Sequence, residues 1–492
     1  MRATARAATD ASRRSSPSGS VVAVDLGATS GRVIVGRVSP GALELRHVAR
    51  FPNEPIALRD GLHWDFLGLY RGVLNGLREA AAGASDLLSV GIDSWAVDYG
   101  LLRGGRMLGE PYHYRDARTA AGVEAVHHVA PAAELYRRNG LQHLPFNTVF
   151  QLACDRDSGL LTAADTLLLV PDLIAHQLTG VVAAERTNAS TTGLLDARTR
   201  AWDLELAARV GVPERMLPPL VDPGASLGTI DGPARQVVGA PLPVTAVGSH
   251  DTASAVVAIP NPAADFAYIS CGTWGLVGVE LESPVIGESA RLAGFTNEGG
   301  VDGRIRFLHN VMGLWLLTES IRAWSPADAT AAQRSSTLEQ LLDEARAVPA
   351  SAVTVFDVDD PRFLPPGDVP GRIAEWCREH EVRPPAGRAE FVRSIVESLA
   401  QAFADTVREA SRLSGAPVST INLVGGGAQN ALLCQATADR SGMPVLAGPV
   451  EATAIGNILV QARAAGLVAG GLPELRALVA RAFPPTVYRP RS

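Results

Sequence analysis

The sequence predicts an α/β protein of two domains with a cleft between them, and three observations carry that prediction. At 492 residues the chain exceeds what one hydrophobic core usually serves, and it suits two domains of roughly 200 to 250 residues. Strand-like and helical runs alternate along it, as in α/β proteins. Each half also opens on one pattern, an apolar strand, a glycine- and threonine-bearing turn and a second apolar strand: "VVAVDLGATSGRVIV" at 21–35 and "FAYISCGTWGLVGVEL" at 266–281. A pattern repeated at the head of each half reads as a duplication.

Taken in order, Val21, Val22, Ala23 and Val24 form the first strand, and Val33, Ile34 and Val35 resume it after a turn. Gly27 and Gly31 are expected to supply permissive dihedrals and close backbone approach there. Thr29 and Ser30 add hydroxyls, Arg32 a fixed positive charge, and Asp25 a carboxylate at the strand end. Such a loop makes an anion site with a divalent metal beside it; an ordinary glycine hairpin with a solvated Asp fits the same residues. The stretch 65–83, "DFLGLYRGVLNGLREAAAG", has helical spacing, and 87–102, "LLSVGIDSWAVDYGLL", reads as strand, turn, strand. At 246–258, "AVGSHDTASAVVA" places Ser249, His250, Asp251 and Thr252 at the start of a helix. The two prolines of "AIPNPAAD" (258–265) mark a junction, so the expected domains are 21–258 and 259–480. Gly272 and Thr273 then occupy a turn like that of Gly27 to Thr29, and the two loops could face one phosphate chain from opposite sides. Further on, "INLVGGGAQNALLCQATADRSG" (421–442) runs a strand through Gly425, Gly426 and Gly427 into a helix. Without GxGxxG spacing a dinucleotide is a poor fit, which leaves adenosine binding or a merely tight turn.

Composition narrows the function. A net charge of −7 and a pI near 5.9 argue against nucleic acid as the main partner. No run approaches the ~20 apolar residues that span a membrane. All 44 basic residues are arginine. That excludes a Walker A loop, the strand lysine of protein kinases and Schiff-base chemistry. Cys154, Cys271, Cys377 and Cys434 are scattered without a CxxC pair, the usage of a reducing, cytoplasmic compartment. Residues 1–20, rich in Ala, Ser and Arg, read as a disordered extension in preference to a transit peptide. No oligomeric state follows from the sequence.

For chemistry, Asp251 is either the N-cap of its helix or a base beside His250 at the domain junction. Asp93, Trp95, Asp98 and Tyr99, with Arg115, Asp116 and Arg118 of "PYHYRDART", suit either a sugar site or a structural salt-bridge network. Asn297, Glu298 and Asn310 precede an apolar helix whose tryptophan and leucines are read as core.

From about Val21 to Ala464 the chain resembles the FGGY carbohydrate kinases of the actin-like ATPase superfamily. The resemblance rests on ten segments in the family's order: "VDLGATSGR", "GIDSWAVDYGLL", "YRDART", "LPFNTVFQL", "TNASTTGLLD", "SHDTASAVVA", "SCGTWGLVG", "TNEGGVDGRIRFLHNVMGLWLL", "VGGGAQNALLCQATAD" and "GPVEATAIGNI". It implies two ribonuclease-H-like domains with the active site between them. It also implies transfer of the ATP γ-phosphate to the primary hydroxyl of L-rhamnulose, giving L-rhamnulose 1-phosphate. By the same resemblance Asp251 is the proton acceptor, and His250, Asp251, Thr252 and Asn310 touch the sugar. Ala28, Thr29, Ser30, Gly31, Arg32, Thr273 and Gly426 contact ATP, and Asp25 positions Mg2+. Two positions depart from the family pattern: Ala96 replaces a sugar-contacting glycine, and Thr318 replaces an ATP-contacting glutamine. The family's cysteine pairs are not reproduced, which leaves Cys377 as a plain buried thiol. A kinase for another ketose (L-fuculose, L-ribulose or xylulose) is the nearest alternative, kept open by Ala96. A non-catalytic sugar sensor, or an ATPase without a sugar acceptor, is disfavoured by Asp25 with Asp251 and by "SHDT" with "YRDART".

Overall fold

The computed structural model describes residues 18–491; the 1–20 extension, apart from its last three residues, lies outside the described residues. The first sheet has strands β1 (Gly19–Leu26), β2 (Ser30–Ser39), β3 (Ala42–Pro52), β4 (Leu87–Ser94), β5 (Ser226–Thr229) and β6 (Pro243–Thr245). They lie in the order β5-β6-β4-β1-β2-β3. β1 to β3 are an antiparallel meander, whereas β4 runs parallel to β1 and β6 parallel to β4. β1 is buried along its whole length, which is why it reads as a continuous Val/Ala run instead of an alternating one.

The second sheet has strands β7 (Phe266–Cys271), β8 (Trp274–Leu281), β9 (Thr296–Gly299), β10 (Ile305–Met312), β11 (Thr420–Val424), β12 (Val445–Ala447) and β13 (Thr486–Tyr488). Their order is β9-β10-β8-β7-β11-β12-β13. Here too an opening meander of β7, β8 and β10 is extended by parallel strands β11 and β12. The two sheets share one plan, as the repeated opening hairpin predicts.

Helix α1 (Phe66–Gly83) covers the first sheet, with Phe66, Leu69, Val73, Leu77 and Ala80 buried at three- and four-residue spacing and Asp65 capping Gly68 N. Two further helices, α2 (Asp251–Val257) and α6 (Ala452–Ala464), are almost wholly buried; between them in sequence come α3 (Trp315–Trp324), α4 (Arg388–Ser414) and α5 (Ala431–Ser441). α2 and α6 meet at the centre of the molecule, in an apolar cluster that joins Val21, Ala23 and Ile34 of the first sheet to Tyr268 and Leu308 of the second. Gly456 of α6 lies so close to Ser254 of α2 that a Cβ there would overlap the Ser254 carbonyl oxygen. No helix among the described residues is long and apolar enough to cross a membrane. All four cysteines are free, with Cys377 fully buried.

Candidate active site between the two sheets

A cleft of about 660 Å³ lies between the two halves. Of the residues that the family resemblance assigns to the site, all but Gly31 border it: Asp25, Ala28, Thr29, Ser30, Arg32, Ala96, His250, Asp251, Thr252, Thr273, Asn310, Thr318 and Gly426. Gly31 is buried behind the loop, where a Cβ would overlap the Phe51 ring. The expectation that Gly27 and Gly31 relieve the backbone is corrected, because neither takes a positive φ. Space, not dihedral freedom, requires glycine at 31.

The first turn is closed by Gly27 N donating to Ser30 O at 3.0 Å. Buried Asn53 clamps it, its backbone N–H donating to Thr29 O and its Nδ2 to Gly27 O at 2.8 Å. The turn carrying Gly272 and Thr273 is held differently, by Leu314 N and Trp315 N donating to their carbonyls from the start of α3. Thr318, one turn further along α3, spends its hydroxyl on the Leu314 carbonyl at 3.0 Å. At the third turn Gly425 takes φ +81° with Cys271 O 3.0 Å from where a Cβ would stand, so glycine is required there by conformation and by space.

Asp25 ends β1 at the same register as Asp93 on β4 and opposite Arg32 on β2. Arg32 Nη2 stands 3.1 Å from Asp25 Oδ2 and Arg32 Nη1 2.6 Å from Glu451 Oε2, so its charge is shared between two carboxylates. The Asp25 contact is electrostatic only, since Oδ2 is buried and takes no aligned hydrogen bond. Burial pushes Asp25 up to about 6, with Arg32 opposing it. Burial, and then Asp25 itself, drives Asp93 well above the usual carboxylate range, while Asn457 Nδ2 donates to its Oδ2 at 2.5 Å. Asp25 borders the cleft with a buried oxygen that no aligned hydrogen bond satisfies, a carboxylate that fits a cation. No cluster of three or more His, Cys, Asp or Glu among the described residues makes a metal site by itself. Mg2+ takes one or two carboxylates and fills its shell with water and phosphate oxygens, so a single carboxylate such as Asp25 could serve it.

The Ser249–Thr252 segment is fixed from several sides. Buried Glu185 accepts from Ser249 N at 3.0 Å and Ser249 Oγ at 2.8 Å, and Ser94 N donates to Ser249 O at 2.9 Å. Asp251 begins α2, and its Oδ1 accepts from Thr252 N at 2.6 Å and Thr252 Oγ1 at 3.1 Å. Asn310 Nδ2 and N both donate to Gln142 Oε1 from the other half. Asn297 turns away from the cleft to hold Val285 N and Gly140 O.

The ambiguous polar cluster divides. Asp98 accepts from Trp64 Nε1, Trp95 Nε1, Gln151 Nε2 and Tyr114 N, Tyr99 donates to Asp155, Arg118 pairs with Asp155, and Asp116 accepts from Leu62 N and Arg118 N. These are structural. Trp95, Ala96, Val97 and Tyr114 reach the cleft. Val97 does so with φ +68°, an outlier for a β-branched residue, held by Thr148 Oγ1 donating to its carbonyl. Trp315, read as core, is only half-buried and stacks under Arg115. Sequence reading gave no role to Gln142, Glu185, Arg306 or Glu451; Arg306 lay in the quoted segment "TNEGGVDGRIRFLHNVMGLWLL" and Glu451 in "GPVEATAIGNI", but their partners are remote, His250 56 positions from Arg306 and Arg32 419 positions from Glu451.

Two sheets of one plan with a cleft between them define a two-lobed α/β protein whose site is built from both halves. The N-terminal domain of the FGGY family of carbohydrate kinases matches residues 20–258 and its C-terminal domain residues 267–465. The chain belongs to the FGGY family of carbohydrate kinases. It is similar over nearly its whole length to the rhamnulokinases of Bacteroides thetaiotaomicron (40% identical, covering 95% of each chain) and Pectobacterium carotovorum subsp. carotovorum (42% identical, 96% of this chain and 93% of the relative). The fold is that of the gluconate kinase from Lactobacillus acidophilus (TM-score 0.76, 16% identity, 96% and 94% covered) and the xylulose kinase from Rhodospirillum rubrum (TM-score 0.75, 19% identity, 96% and 94% covered).

Proposed function

We propose that this chain transfers the γ-phosphoryl group of ATP to the primary hydroxyl of L-rhamnulose, forming L-rhamnulose 1-phosphate and ADP. The observation that carries the substrate is the full-length similarity, about 40%, to rhamnulokinases. Residues 21–258 would carry the sugar site, the first phosphate loop and the base, and residues 259–480 the second loop and the adenosine site. The reaction would run in the cytoplasm, a reading supported by four free cysteines.

Asp251 would accept the proton of the attacking hydroxyl. Its Oδ1 is occupied by Thr252, so Oδ2 is the oxygen left for the proton. The sugar oxygen then bonds to the γ-phosphorus as the bond to the bridging oxygen of ADP breaks. A carboxylate of ordinary basicity is adequate, because that transition state is loose and the proton leaves late. Ala28 to Arg32, Thr273 and Gly426 would hold the nucleotide, with Thr318 too short to replace a glutamine. Asp25 would hold Mg2+, which supplies charge neutralisation on the phosphate oxygens. Ala96, His250, Thr252 and Asn310 would line the sugar, and the Ala96 methyl narrows that wall beside Trp95 and Val97.

The test is ADP release with ATP and magnesium against L-rhamnulose, L-fuculose, L-ribulose, L-xylulose and D-xylulose. Preference for L-rhamnulose is expected. Preference for another ketose would move the protein to another sugar, and silence across the panel would leave a sugar sensor.

A further inference from the structure

We propose that Arg306 fixes the tautomer of His250, so that the imidazole presents its Nε2–H to the carboxylate of Asp251. The inference rests on reading Asp251 as the proton acceptor, and it makes Arg306 a positioning residue. Arg306 lies on β10 in the second sheet with its side chain wholly removed from solvent. Its Nε donates to Gly299 O at 3.0 Å, and its Nη2 stands 2.8 Å from His250 Nδ1 and 3.0 Å from Glu298 Oε2.

A guanidinium keeps all its protons in a protein and has no lone pair to offer. At 2.8 Å from Nη2, Nδ1 must therefore be the acceptor, and its lone pair must face Arg306. Glu298 Oε2 is also 3.3 Å from Nδ1 and could take a proton from it. The shorter Arg306 contact decides against that, since an N–H on Nδ1 would point at a second N–H. Glu298 is buried, which alone would raise it, but Arg306 in the first place and His250 after it hold it below the usual carboxylate range. Its Oε2 takes no aligned hydrogen bond, so the carboxylate keeps Arg306 in place by charge alone.

With Nδ1 as acceptor, the neutral ring carries its proton on Nε2, the tautomer being set by the partner of the other nitrogen. Nε2 is 3.3 Å from Asp251 Oδ1. The contact is electrostatic and not an aligned hydrogen bond; it places that N–H toward the oxygen that Thr252 already occupies and leaves Oδ2 for the sugar hydroxyl. Arg306 and Glu298 belong to the second half and His250 to the first, so the base is aligned only when the halves are docked.

The measurement is the protonation of the two imidazole nitrogens of His250 by 15N NMR of histidine-labelled full-length protein at alkaline pH, with His250→Asn to assign the signal. Kinetics follow for Arg306→Met and Arg306→Lys. In the wild type the proton is expected on Nε2. Arg306→Met should move it to Nδ1, facing Glu298, and lower kcat about tenfold or more with KM for ATP unchanged. Arg306→Lys, which keeps one charged donor, should retain the tautomer and recover most of kcat. A wild-type proton on Nδ1 overturns the proposal without any variant having to fold, and so does a folded Arg306→Met protein with the proton still on Nε2. The tautomer is read without sugar or nucleotide, so failure on every ketose would overturn the functional reading and not this one.

Discussion

Asp98 shows how a carboxylate close to the cleft can be structural. It takes hydrogen bonds from two indoles, an amide and a backbone N–H, yet burial outweighs them and raises its carboxyl to about 6. An unfolded Asp titrates near about 3.9. Between about pH 4 and 6 the folded state therefore holds a proton that the unfolded state releases, and this contribution to stability falls as pH rises through that window. His113, lowered to about 4 by burial and by Arg115, acts in the opposite sense, its contribution rising from about pH 4 to 6.5. Asp98→Asn removes the first contribution alone. Urea unfolding from pH 4 to 8 should show the wild type losing stability relative to the variant up to about pH 6, with a constant difference above pH 7. A difference that is flat from pH 4 would mean that Asp98 is ionised throughout. For the chemistry, Asp251→Asn is expected to fold with an unchanged melting temperature and bind ATP normally, while kcat falls roughly 100-fold or more. Full activity in that variant would remove the assignment of the base.

At the scale of elements, both opening hairpins were legible because a buried strand, a turn and a second strand are encoded within some fifteen residues. The cause of the glycines was not. Gly31 is dictated by Phe51, twenty positions away on β3, and Gly456 by a carbonyl oxygen on a helix in the other half. Gly456→Ala must push α2 and α6 apart at backbone, where no side chain can give way. A loss of about 2–3 kcal/mol is expected by denaturant unfolding, with kcat lowered as well because α2 begins at Asp251. Gly41→Ala meets open space in an exposed turn and should stay within about 0.5 kcal/mol of wild type. Equal effects at the two sites would show that the α2–α6 contact tolerates separation.

Across the whole molecule, the halves touch beside the cleft as well as beneath it. Arg115 of the first half lies 4.4 Å over the Trp315 ring and donates to Leu364 O at 3.1 Å, flanked by cleft-lining Tyr114 and Trp274. Closure of such a cleft keeps water from competing with the sugar for the γ-phosphate. Arg115→Ala should raise KM for the sugar several-fold and let ADP formation exceed sugar phosphate formation, both quantified in one reaction. A stoichiometry that stays at one would show that Arg115 takes no part in excluding water.

The sequence by itself determined the two-hairpin α/β plan, the absence of a lysine-based phosphate site, and the positions of Asp25 and Asp251 at the ends of apolar runs. Each is local chemistry, written in residue spacing and turn composition. Only the tertiary structure decided that Asp98 and Arg118 are scaffold, that Arg32 is shared by Asp25 and Glu451, and that Arg306 reaches His250. Those partners lie far apart in the chain. A polar side chain carries no periodicity that names its partner, so the choice is made when two separately patterned halves close on each other.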